Sequence, residues 1–220
     1  LIPAICFAGL CISLLAAHHN SGFDKKHPLQ SNIMYRLNTT DSSAAWLSNS
    51  TITDKFTKKF FPDKTIDTSV KDFRELIHPA PVFPFSSPTA IILRDTTTSL
   101  NTRELTLLCN TTRENVNDMG IVMDDSTRQS VSNVEIAGTA IMDEADKNIA
   151  SLNNIIFYGP PKQGFLIRFI MKANATLGIT LFDQSIGLPE VKGLTEFPPD
   201  VVPAPGFSSN LIRVEKHFSL

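Results

Sequence analysis

Catalytic signatures are missing from this sequence. There is no His-Glu-X-X-His pair for zinc, no Gly-X-Ser-X-Gly elbow, no phosphate-binding P-loop and no Gly-X-Gly-X-X-Gly turn. Each of these would tie a backbone geometry to a reactive group. Cysteine is scarce too: Cys6 and Cys11 sit in an apolar N-terminal stretch, and Cys109 is alone. Two cysteines five apart on one helix point in different directions, so no disulfide framework is expected, and no CxxC pair suggests zinc. An excess of either charge is also absent, with 20 basic against 22 acidic residues. That balance calls for no nucleic-acid partner and no anionic membrane surface. No internal repeat of solenoid length is visible.

What is present suits one ordinary domain with appendages. The chain has 220 residues, of which 42% are apolar, enough to build a core. Fourteen prolines against ten glycines, with abundant Ser and Thr, point to many short strands and turns. Four Asn-X-Ser/Thr sequons occur, at Asn38, Asn49, Asn110 and Asn174, close to the number that chance gives in such a composition. The chain begins at Leu1 rather than Met, and a fragment or processed product is expected.

Residues 1–17 read LIPAICFAGLCISLLAA, without a charge. As a helix they would span about 26 Å, close to a bilayer core of about 30 Å. Gly9, Ser13 and Ala16 are small residues of the kind found where membrane helices touch. A transmembrane helix is expected. A cleaved signal peptide is the alternative, favoured by Ala16 and Ala17 but lacking a basic leader, and a buried core helix is a third reading. Lys25 and Lys26 follow closely and weakly favour a cytoplasmic side for what comes next.

Beyond this stretch, residues 18–80 read as a linker and mixed connector. Ser31–Asn38 and Ala44–Ser48 flank the turn residues 39–42, a hairpin pattern with Trp46 buried. Thr53 or Asp54 caps a short helix through Phe61, with Phe56 and Phe60 on one face. Pro79, Pro81, Pro84 and Pro88 force extended backbone and lead into a second unit, residues 81–220. There the segments are short and strand-like. Leu105, Leu107 and Cys109 share one face by period two, and Thr96–Thr98 reads as a turn. Gly164–Lys172 sets Phe165, Ile167, Phe169 and Met171 against Arg168 and Lys172. Leu177, Ile179 and Leu181 alternate again, and Leu211–Phe218 makes a final strand. The expected fold is mainly β, an antiparallel β-sandwich preceded by the membrane helix and the connector.

Three looser groups carry side chains capable of chemistry. His18, His19, Asp24 and His27 offer metal ligands, but a linker is a poor frame for convergent coordination, and solvated histidines are the plainer reading. Asp143, Glu144 and Asp146 offer acids without a placed partner and read as a solvated loop. Tyr158-Gly159-Pro160-Pro161 and the later Asp183-Gln184-Ser185-Ile186-Gly187-Leu188-Pro189 set turns. In them Asp183 and Ser185 are expected to bond nearby backbone groups and lock a loop, with a ligand site as the sharper alternative. Tyr158 and Phe182 are core or rim aromatics by default.

These stretches carry a likeness. YGPP at 158–161, DQSIGLP at 183–189, PPD at 198–200 and VEKHF at 214–218 resemble the C-terminal region of membrane-bound zinc aminopeptidases of peptidase family M twenty-eight. That type includes endoplasmic-reticulum metallopeptidases, fungal vacuolar membrane proteases and bacterial relatives. Residues 31–48, with Tyr35 and Trp46, resemble the segment after the last membrane helix of that family. The resemblance implies a missing N-terminal peptidase domain that holds two zinc ions, then membrane helices ending at residues 1–17, then a β-rich domain on the lumenal, vacuolar or periplasmic side. It implies contacts with the membrane and with the missing peptidase and membrane regions. None of the five histidines is followed by Asp two positions on, so the His-X-Asp ligand motif is not in this chain. No catalytic, cofactor or metal residue is assigned here; Tyr158, Gly159, Pro160, Asp183, Ser185 and Gly187 stand as a loop motif.

Overall fold

The computed structural model describes Ser13 and residues 23–50, 53–63, 66–67, 75–98, 101–142, 154–205 and 209–220. The rest of residues 1–17 lies outside the described residues, and with it the expected membrane helix. Among the described residues no helix is long and apolar enough to cross a membrane.

The chain is mainly β. The first strands are β1 (Leu29–Ser31), β2 (Met34–Asn38), β3 (Ser43–Ser48), β4 (Ile66–Asp67) and β5 (Glu75–Pro79). Then come β6 (Thr89–Thr97), β7 (Thr102–Asn110), β8 (Val116–Met123), the short helix α1 (Asp125–Ser130), β9 (Val131–Ile136) and β10 (Thr139–Met142). The last are β11 (Asn154–Tyr158), β12 (Phe165–Lys172), β13 (Gly178–Ile186), β14 (Val201–Pro203) and β15 (Leu211–Ser219). One sheet has the order β10-β9-β12-β7-β6, and a larger one runs β11-β8-β13-β15-β2-β3-β5-β4. The pairing is not antiparallel throughout: β15 runs parallel to β2, and β1 runs parallel to β14.

Period-two alternation sets the interior. Leu105, Leu107 and Cys109 of β7 and Phe165, Ile167, Phe169 and Met171 of β12 point inward from the five-stranded sheet. They meet Met119, Ile121 and Met123 of β8 and Ile179 and Leu181 of β13 in one cluster. On the opposite face of the same sheet, Arg168 bonds Glu104 at 3.0 Å and Glu135 at 3.0 Å, and Arg94 adds to Glu104 at 3.3 Å. These charges stay at the water because their strands turn the apolar residues the other way.

The five-stranded sheet meets only part of the larger one. The inner face continues across β15, β2 and β3 as a second cluster, with Val214, Ile212, Tyr35, Leu37 and Trp46. The short β1–β14 sheet, through Leu29 and Val201, and irregular chain pack against it: Phe56, Phe60 and Phe61, the proline-rich segment with Phe83 and Phe85, and residues from Leu188 to Phe197. Tyr35 pins the proline segment. Its hydroxyl donates to the Pro81 carbonyl at 2.9 Å and accepts from the Phe83 amide at 3.2 Å. β2, β3 and β5 belong to the same sheet as β13 and β15. The hairpin around residues 39–42 forms as the sequence predicts. Asp54 accepts from the amides of Phe56 and Thr57 at 2.7 and 2.8 Å, but the helix it caps is a single 3-10 turn, Thr57–Lys59. Thr96 and Thr97 are strand, not turn.

Candidate functional site

The two loop motifs converge at one end of the larger sheet. Between β7 and β8 the chain turns through residues 111–115. The Asn110 side chain accepts from the Thr111 amide at 2.8 Å, the Thr111 hydroxyl accepts from the Arg113 amide at 3.2 Å, and Asn115 takes a left-handed φ of 58°. These local bonds curl the loop so that the Arg113 side chain drives inward and is left 7% exposed.

Asp183, fully buried on β13, is the counter-charge. Arg113 forms an ion pair with one carboxylate oxygen, and the Thr111 hydroxyl donates to the other at 2.5 Å. The second arm of Arg113 donates to the Ser185 hydroxyl, and its guanidinium lies 5.2 Å from the Phe85 ring centre. Burial pushes the Asp183 carboxyl above the usual carboxylate range, while the Arg113 charge and the Thr111 hydroxyl pull it back. Asp183 pairs with Met119 on one side and Val214 on the other, so the ion pair sits at the seam between the two apolar clusters. Asp183 and Ser185 lie inside a strand and grip side chains some 70 residues earlier, not nearby backbone.

The facing loop, between β11 and β12, carries the other motif. Gly159 has φ of 61° and its amide donates to the Asn117 carbonyl at 2.9 Å. Gly164 has φ of 81°, and a Cβ there would fall 2.4 Å from the Cys109 carbonyl oxygen. The two loops border a polar cleft of about 690 Å³, lined among others by Thr112, Arg113, Glu114, Pro160, Pro161 and Lys162. Tyr158 is a rim residue, exposed at the end of β11. Gly187, with φ of 113°, closes β13 onto the Asn210 carbonyl at 2.7 Å. Phe182 is buried on the other face, beneath the Arg213 guanidinium at 3.8 Å from its ring centre.

The remaining groups do not assemble. Asp24 accepts from the amides of Lys26 and His27 at 2.8 and 2.7 Å in an exposed turn, and His18 and His19 lie outside the described residues. Asp143, Glu144 and Asp146 also lie outside them. Among the described residues no group of three or more His, Cys, Asp or Glu is placed to hold a metal. One arrangement escapes a sequence reading. The His217 ring stands 3.4 Å from the Thr180 hydroxyl and 3.8 Å from the Asp124 carboxylate. A nucleophile, base and acid relay needs about 2.6–3.2 Å at each step. These three side chains are looser and do not line the cleft.

Arg113 and Thr111 carry the lock, and no pattern announces them, since a polar run with Asn and Thr reads only as a turn. No protein-family model matches the chain, and no curated protein matches it at a significant level.

Proposed function

We propose that this chain is a non-catalytic β-sandwich domain of a membrane-anchored zinc aminopeptidase, held on the lumenal, vacuolar or periplasmic side. Its role is structural or substrate-gating, and hydrolysis belongs to zinc in an upstream peptidase domain. The uncharged run of residues 1–17 is the membrane anchor this reading assigns. The observation that supports this reading is the use made of the motif residues. Asp183 has both oxygens committed to Arg113 and Thr111, and Ser185 is held by the same guanidinium. A carboxylate so engaged does not serve as a general base; it ties the loop between β7 and β8 to β13. Around that lock, Pro160, Pro161, Glu114 and Lys162 form a stiff polar rim suited to contact with a neighbouring domain.

Two measurements test it. The coding sequence upstream of Leu1 is expected to contain hydrophobic spans and a His-X-Asp peptidase domain, and a start codon directly before Leu1 refutes the reading. The purified chain with added zinc is expected to leave aminoacyl-nitroanilides intact, and appreciable turnover refutes the non-catalytic assignment.

A further inference from the structure

A second cleft, of about 380 Å³, opens on the face of the larger sheet opposite the two clusters described above, beside a small third one formed by Met34, Leu47 and Leu211. Asp118 and Tyr158 are cross-strand partners on β8 and β11, and Ile186 and Leu211 are partners on β13 and β15. With Asn117 and Pro203 these residues line it. The volume lies at the small end of ligand pockets, which run from about 300 to 1,000 Å³.

Its lining is unusual in two ways. Ile186 is 69% exposed and Tyr158 58% exposed, so apolar and aromatic surface stands open to water. Asp118 is only 6% exposed, and its Oδ1 is buried with no hydrogen-bond partner among the described residues. Buried carboxylates are normally paired, because leaving water without a donor costs several kcal/mol (roughly). Arg213, whose charge acts on Asp118, is committed elsewhere: it donates to Glu215 at 2.9 Å and lies over the Phe182 ring.

We propose that this cleft binds a small organic cation, an ammonium group carried on an apolar body, with Asp118 as the counter-charge. The ammonium supplies the donor that Asp118 lacks, the Tyr158 ring borders it, and Ile186, Pro203 and Leu211 take the hydrocarbon.

Phenethylamine and its uncharged counterpart 2-phenylethanol separate charge from shape. Saturation-transfer NMR and titration calorimetry on the purified chain are expected to give phenethylamine a Kd of about 1 mM or tighter. The alcohol is expected to bind at least tenfold more weakly. Asp118→Asn is expected to weaken the amine at least tenfold and leave the alcohol unchanged. Ile186→Lys, at an exposed position that does not burden folding, is expected to repel the amine to the same degree. Thermal melts establish that each variant is folded, and if Asp118→Asn is not, Ile186→Lys decides. No amine binding, equal affinity for amine and alcohol, or full amine binding by a folded Asp118→Asn or Ile186→Lys variant overturns the proposal.

Discussion

Replacing Arg113 by methionine leaves Asp183 at the seam of the two clusters without its cation. The carboxylate is fully buried and keeps only the Thr111 hydroxyl among its described partners. Breaking a buried pair by removing one member costs about 3–5 kcal/mol, because a charge remains out of water. A domain of this size has a stability of about 5–15 kcal/mol in total. At roughly 2–4 °C per kcal/mol, the melting temperature is expected to fall by roughly 6–20 °C. Urea titration followed by far-UV circular dichroism and by fluorescence of the single tryptophan, Trp46, measures the loss. The double variant Arg113→Met/Asp183→Leu removes both charges, and Met119 and Val214 already flank the site with apolar surface. It is expected to recover most of the stability, since an apolar pair often equals or exceeds a buried ion pair. A cost below about 1 kcal/mol for Arg113→Met, or a double variant no better than the single one, refutes the reasoning.

Three further outcomes follow from the same packing. Burial raises the Asp118 carboxyl, Asp183 raises it further, and Arg213 opposes them. Its contribution to stability is therefore full below the unfolded carboxylate value and is lost as pH rises through the higher folded value. Asp118→Asn is expected to melt above the parent chain at pH 7, with the gap closing towards pH 4; a gap that widens on acidification contradicts the sign. Gly120→Ala places a methyl 2.2 Å from the Phe182 ring and 2.8 Å from the Ile155 carbonyl oxygen, and is expected to cost about 1–3 kcal/mol in urea unfolding. Burial pushes the Cys109 thiol up to about 12, so peptide mapping after iodoacetamide at pH 8 is expected to find it unmodified in the native state and alkylated in denaturant.

Legibility in the sequence tracks how local the physics is. The strands around Leu105–Cys109 and Phe165–Met171 are readable because alternation is written in the residues themselves. The hairpin at residues 39–42 is readable for the same reason, with turn chemistry between two strand-like runs. Thr96 and Thr97 read as a turn but continue β6, because pairing with Glu104 and Arg103 overrides a weak local preference. The helix expected to run to Phe61 is a single 3-10 turn, Thr57–Lys59, with Phe56, Phe60 and Phe61 all buried in the second cluster. Asp183 and Ser185 stand out by residue type, yet their partners Arg113 and Thr111 are set by strand register, which short-range pattern does not encode. Asp118 is the same case: nothing in Asn117-Asp118-Met119 announces a buried carboxyl, and only the pairing of β8 with β11 and β13 puts it there.

The position of β15 in the sheet has a consequence for biosynthesis. Residues 211–219 lie between β13 on one side and β2 on the other. Strands translated first cannot join those made in the middle until these residues leave the ribosome. Throughout that interval β2 and β13 each present an open edge, the kind of surface that recruits chaperones or pairs with the wrong strand. Closure across such long sequence separation is slow, so folding of this chain is expected to be slow and sensitive to deletions within residues 211–219.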